Sequence, residues 1–495
     1  MRGNPRMGAG WAKVGLLAGI WLASGAGLGW AEDAPLLPPS IWARTLPAES
    51  QPAATTPPAP MPPITVHTAP MPASPASPPA ATPAKPVPAS QNPPAPAASC
   101  PECCPPKKSL WDNVPPVKPM PPLGNFATRP TGCGYYTGLD FILDDLRPGP
   151  PNYPYPPFGA MAGSFFDADY RYLDKPDNQQ HDFFDFMKRV HVGDDWMFTS
   201  GGEFRTRLMN EVDSRLTAHD NNYDLLRTRV YGDLWYRDLF RVYAEFLYAD
   251  SFYQDLTPLG IDINRSDLLN LFVDLKVGEI DGRPVYVRGG RQELLYGSER
   301  LISPLDWANT RRTFQGVKAF YQGDKLDVDA FWVQPVEAVR NDFDSVDHRL
   351  NFTGVWATYR PEKGRYLDFY VLNLDRSGAS GSTQAQVPGA VNTLAPNHFN
   401  ITTMGTRDTG TYCDRVTWDF ESMLQVGDYG RDPLFAYAYT TGLGYRFADV
   451  PWTPHVWLYY DYASGDAGAD RDGNFNTFNQ LFPFGHYYLG YNDLV

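Results

Sequence analysis

Residues 203–207 read Glu-Phe-Arg-Thr-Arg and 226–237 read Leu-Arg-Thr-Arg-Val-Tyr-Gly-Asp-Leu-Trp-Tyr-Arg, so charged and apolar positions alternate and arginine recurs on the charged side. Successive side chains of a strand point to opposite faces, which puts Glu203, Arg205 and Arg207 on one face and Phe204, Thr206 and Leu208 on the other. The pattern continues: Phe240, Val242, Ala244, Phe246 and Tyr248 oppose Arg241, Tyr243 and Glu245, and Leu271, Val273 and Leu275 oppose Asn270, Asp274 and Lys276. It predicts about twelve strands of membrane-spanning length up to about Asp461. A soluble sandwich gives the same alternation, and the connections separate the two. Short turns at about 237–239, 278–283, 322–325, 361–364 and 428–432 alternate with long loops at 212–222, 250–265, 294–313, 337–347 and 374–412. A barrel whose chain starts in the periplasm has this regularity, whereas Greek-key links do not require it.

The ends add targeting and organisation. Arg2, Arg6 and Lys13 precede an apolar run from Val14 to Leu28, and Gly29 and Ala31 fit a cleavage site, so residues 1–31 read as a signal peptide. The alternative is an N-terminal anchor. Residues 32–123 are dominated by proline and alanine and read as a disordered, partly polyproline II linker. Such an arm is a spacer or a tether to periplasmic export or cell-wall partners. Residues 124–195, rich in glycine, proline and aromatics, form a lead-in with a short helix expected around Gln180 to Val190; it is expected to pack under the barrel. Residues 196–495 form the barrel itself.

Composition agrees. No later stretch reaches the length of a spanning helix, so further membrane crossing falls to strands. The low mean hydropathy of -0.39 is compatible with that, because half of each barrel strand is polar. Aromatics make up 14% of the chain, enough for girdles at both interfaces. The formal net charge of -14 argues against a nucleic-acid partner. Cys100, Cys103 and Cys104 cluster without the histidine or second pair that haem or zinc needs, which leaves a disulfide or a free thiol and implies no cofactor. Asp466, Asp470, Asp472 and Gly473 are reminiscent of a calcium loop but lack its twelfth-position carboxylate, so no metal is assigned.

From Val287 to Phe320 the chain carries Gly290 to Glu293, Tyr296-Gly297, Arg300 to Ile302, Trp307, Asn309, Arg312, Phe314 and Gly316. Near the end come Tyr460 to Asp466, Thr477-Phe478, Leu481 to Pro483, His486, Gly490 and Asp493. Together these resemble the alginate export family of outer-membrane β-barrels. The resemblance implies an all-β, transmembrane, antiparallel barrel, monomeric in outer-membrane lipid, whose arginine-rich constriction passes an acidic polysaccharide. Guanidinium is permanently charged and matches carboxylate bidentately, which suits a polyuronate or another anionic solute. The expected cargo-facing set is Arg205, Arg207, Arg227, Arg229, Arg288 and Arg291, with Glu203 and Glu293 as carboxylates beside them. Arg288 and Arg291 differ in parity, so both face inward only if Gly289-Gly290 forms a bulge.

Glu203, Asp233, Glu245, Asp274, Asp329, Asp368, Asp419 and Glu421 fall on the same predicted inner faces, so the wall mixes signs. For each arginine the alternative role is an ion pair that holds the strands in register. The competing functions are a secreted polysaccharide-degrading enzyme using Glu203 and Glu245, and an envelope tether; no catalytic motif supports the former. The chain ends in what reads as loop, so a barrel with further C-terminal strands is expected, with twelve-strand closure between 196–210 and 456–462 as the alternative. The parity of twelve strands puts the segment after Ala463 at the periplasmic end.

Overall fold

The computed structural model describes residues 109–118, 141–146, 163–179, 181, 183–214, 218–377, 398–449, 454–466 and 473–489. The predicted signal peptide, the linker but for residues 109–118, Cys100, Cys103, Cys104, Cys133, Asp470 and Asp472 lie outside them; residues 109–118 are not disordered as expected but form a 3-10 turn, Leu110–Asn113, followed by the buried Val114. The strands are β1 (Val190–Val192), β2 (Trp196–Glu211), β3 (Asn221–Tyr236), β4 (Phe240–Phe252), β5 (Asn264–Ile280), β6 (Arg283–Gln292), β7 (Phe314–Gln322) and β8 (Leu326–Glu337). They continue with β9 (Ser345–Val346), β10 (Leu350–Tyr359), β11 (Arg365–Arg376), β12 (Phe399–Tyr412), β13 (Val416–Tyr429), β14 (Asp432–Arg446) and β15 (His455–Ala463). All fifteen belong to one antiparallel sheet in chain order, with β9 paired only to β8.

The two-faced pattern folds as read. On β3 every second residue from Asn221 to Trp235 is buried, and between them Val230 and Leu234 face out. Phe204, Leu208, Leu271, Val355, Phe369, Phe435 and Leu458 are among the exposed apolar side chains of the outer face. At the end of the sheet that carries the tight turns, Trp196, Tyr359, Tyr412, Tyr445 and Phe447 supply exposed aromatics, as an interface girdle requires.

Three further expectations change. Residues 374–412 are not one loop: β12 occupies Phe399–Tyr412 and ends in a tight turn at Cys413-Asp414-Arg415. Among the described residues thirteen strands are therefore nine residues or longer, and the extra crossing moves the segment after Ala463 to the long-loop end. No bulge forms at Gly289-Gly290. The β5–β6 ladder runs evenly through Val273↔Gly289, Phe272↔Gly290 and Leu271↔Arg291, and its register shift lies at Lys276/Gly278 instead. Gly290 keeps the strands close: at φ +131° a Cβ there would sit 2.3 Å from the Leu271 carbonyl oxygen. Third, of the helix expected around 180–190 the described residues hold one 3-10 turn, Asp185–Met187, because the chain then extends to pair as β1 with the start of β2.

The enclosed face is filled. The inner sides of β8 to β14 present Phe331, Val333, Phe352, Trp356, Tyr370, Leu372 and Ile401, an apolar surface rather than a watered one. Two segments cover it: the β6–β7 loop through Leu294, Tyr296, Leu301 and Ile302, and the chain after β15 through Phe475, Phe478 and Phe482. These two are zipped together by Ser303 N to Phe482 O (3.0 Å), Phe482 N to Leu301 O (2.9 Å) and Phe484 N to Glu299 O (2.9 Å).

Candidate site: the arginine wall of β2 to β6 and its inserted loop

The arginines sit where the alternation puts them, but under a lid of protein. Residues 293–313 leave β6 and fold back against the inner faces of β2 to β4, with almost every residue buried. Asp306, 4% exposed in its side chain, is the hub. Arg227 Nη2 donates to its Oδ1 at 2.6 Å, Arg311 donates to the same oxygen, and Arg205 Nη1 lies 3.5 Å from Oδ2. Burial alone would push this carboxyl up, but the guanidiniums of Arg227, Arg311 and Arg205 outweigh it and hold the loop carboxylate well below its usual range.

Around that hub, Arg227 Nε binds Glu203 Oε1 at 2.6 Å, and Arg229 Nε binds Glu245 Oε1 at 2.6 Å. Glu245 also accepts from Tyr243 (2.8 Å) and Asn270 (2.9 Å), while Glu293 accepts from Arg311 and takes its own backbone N–H to Asn270 Oδ1 at 2.8 Å. Arg227 and Arg229 are wholly buried. Arg205 and Arg207 are the more open pair. Arg207 Nη2 donates to Trp307 O (2.7 Å) and Arg205 Nη1 to Asp306 O (3.2 Å), both main-chain acceptors of the loop. Arg207 also lies over the Trp307 ring at 4.3 Å.

Arg288 does not join this cluster. It faces inward nearer the turn end, bidentate to Asp274 at 2.7 and 2.9 Å and stacked over Phe272 at 3.7 Å. Arg291 is separate again, binding Asp267 Oδ2 at 2.8 Å and the loop carbonyl of Asp344 at 3.1 Å. Glu203 and Glu293 are in the cluster, each held by arginine. Asp233, Asp274, Asp329, Asp368, Asp419 and Glu421 are buried, as the mixed-sign wall requires. Asp368, Asp419 and Glu421 gather about Arg407, whose Nε binds Asp419 at 2.7 Å. Asp306, Trp307 and Arg311 were not in the sequence-derived set. Trp307 stood in the family block, but nothing in a loop sequence tells that it folds inward.

At the loop's other side Glu299 is buried and accepts from Ser303 Oγ. Burial pushes its carboxyl up to about 7, against the Ser303 hydrogen bond and the charge of Arg311. Its folded value exceeds the unfolded one, so the favourable contribution is full below about pH 4.3 and is lost as pH rises to about 7. Protease cleavage within 293–313 is therefore expected to be faster at pH 8 than at pH 5, and Glu299→Gln should flatten that difference. A pH profile identical in wild type and variant would rule it out.

An alginate export family profile matches residues 197–495. No curated protein matches the chain. Among solved structures it is similar to OccD3 (OpdP) of Pseudomonas aeruginosa, at 10% identity over 57% of this chain and 75% of that one, TM-score 0.30. OpdO of the same organism gives 13% identity over 55% and 65%, TM-score 0.36. OccAB4 of Acinetobacter baumannii gives 12% over 57% and 85%, TM-score 0.31.

Proposed function

Because the chain belongs to the alginate export family of outer-membrane β-barrels, we propose that its channel passes an anionic polysaccharide of the polyuronate type, or smaller anionic solutes, along the arginines of β2 and β3. The family makes it an outer-membrane transport channel; the cargo is our reading. One observation carries it: the counter-charges of the wall arginines sit partly on the loop. The strands contribute Arg205, Arg207, Arg227 and Arg229 against Glu203 and Glu245, four positive and two negative, which is +2. The loop residues Asp306, Glu293 and Arg311 bring the sum to +1. Carbonyl oxygens of Asp306, Trp307 and Ala308 occupy guanidinium positions that sugar carboxylates and hydroxyls would take if the loop moved. Several modest sites in a row bind a polymer and still release it.

The barrel acts as a monomer in outer-membrane lipid, with residues 32–108 a spacer. In planar bilayers under a KCl gradient, the full-length protein should prefer anions, and Arg205→Gln/Arg207→Gln should move its reversal potential toward cations. A reversal potential that the double variant leaves in place sinks the proposal.

A further inference from the structure

The inner face of β2 to β7 is also covered from the turn end, by chain that precedes the strands. Val114, fully buried, packs with Trp111 against Met197, Trp235, Tyr286 and Phe320. One layer further in, Phe165 and Phe166 pack against Tyr231, Tyr243 and Phe272, with Arg229 3.9 Å above the Phe165 ring and Arg288 4.7 Å from that of Phe166. Both pieces lie upstream of residue 197, where the family match begins. We propose that these two pieces, residues 109–118 of the predicted linker and 163–175 of the lead-in, form a displaceable plug that closes this channel and has to leave the wall before anything passes.

Its contacts are those of a plug and not of a permanent core layer. The wall charges are satisfied by wall partners: Arg241 binds both oxygens of Asp233 at 2.8 Å, Arg288 is bidentate to Asp274, and Arg229 is tied to Glu245. The plug adds Arg241 Nη2 to Phe166 O at 2.8 Å and Arg283 Nη1 to Asn113 Oδ1 at 2.6 Å, and brings the Asp167 carboxyl into the field of Lys318, Arg288 and Arg241. Withdrawing it leaves Arg229, Arg241, Arg283 and Arg288 each with a carboxylate partner outside the plug, and what is lost is aromatic contact, a few polar bonds and the nearby charge of Asp167. Neither piece is a strand of the sheet; residues 163–175 are two 3-10 turns, Phe165–Asp167 and Arg171–Asp174, with local bonds such as Ala168 N to Phe165 O (3.1 Å). Backbone held by local bonds opens more easily than a ladder. Arg189, buried just before β1, latches both pieces: it donates to the carbonyls of Val114 and Trp111 and binds Asp174 at 2.8 Å, with His191 adding a 3.1 Å bond to Asp174 and a ring contact to Trp111.

Current through the full-length protein in symmetric KCl tests the plug without reference to cargo. Arg189→Ala and Phe165→Ala/Phe166→Ala should each raise mean conductance several-fold while the barrel keeps its heat-modifiable gel mobility. Wild-type conductance from barrels that keep that mobility would overturn the proposal. Should either variant not fold, hydrogen exchange of the unmodified chain decides: amides of 163–175 should exchange faster than those of β3 and β4, and equal protection would make the lead-in a core layer. Since KCl conductance and reversal potential are separate readings, this inference and the cargo proposal fail independently.

Discussion

Asp306→Asn is expected to increase both anion preference and protease sensitivity of the 293–313 loop more than any other single change in that loop. The substitution keeps shape and removes one charge. In the wild type that charge is shared by Arg227 at 2.6 Å, by Arg311, and at longer range by Arg205. Without it three guanidiniums converge on a neutral amide in a site where Arg227 and Arg311 have almost no access to water. Removing one partner of a buried ion pair costs about 3–5 kcal/mol, because the remaining charge stays desolvated. The docked loop bears that cost, since its withdrawal lets the arginines reach water. Even if the loop stays in place, five arginines against three carboxylates give +2 where the wild type has +1. Both routes shift the reversal potential toward anions. A variant with wild-type selectivity and wild-type cleavage would show that Asp306 neither docks the loop nor sets the field.

That sensitive position was invisible in the sequence for a physical reason. Period-two alternation reports which face a strand residue takes, and it placed Glu203, Arg205, Arg227, Glu245 and Arg288 correctly, because one face of each strand meets lipid and only the other tolerates charge. A loop has no such constraint. Leu294, Tyr296, Leu301 and Trp307 read as an ordinary surface loop until their partners on β2, β8, β10 and β11 are known, and those lie tens of residues away. One hint was present. The run Phe369-Tyr370-Val371-Leu372 is apolar on both faces, and a barrel strand apolar on its inner face must have protein packed inside it.

The missed strand β12 has a different cause. Thr402 and Thr406 take the outer parity and Thr403 and Thr409 the inner, so threonine on both sides erased the contrast that marks its neighbours. Missing it reversed the side assigned to the segment after Ala463, whose Phe482 in fact packs against Phe314 and Phe352 inside the sheet.

The Arg229–Glu245 pair separates arginines that hold the wall from arginines that meet cargo. Both side chains are wholly buried, 2.6 Å apart, and the guanidinium is covered by Phe165. Arg229→Met is expected to cost about 3–5 kcal/mol in denaturant unfolding of the detergent-solubilised barrel, because Glu245 then keeps only Tyr243 and Asn270 as neutral donors. Glu245→Met should cost less, because Arg229 keeps Glu203 at 3.8 Å and Glu293 at 3.9 Å as counter-charges. The double variant Arg229→Met/Glu245→Met should be much closer to wild type than the sum, since a matched apolar pair removes both desolvation penalties and methionine packs against the Phe165 ring. Simple addition of the two single losses would show that the residues do not act as a pair. Selectivity completes the argument: a double variant that regains stability and keeps anion preference, while Arg205→Gln/Arg207→Gln loses that preference, puts cargo contacts on β2 and leaves Arg229 as a tie between strands.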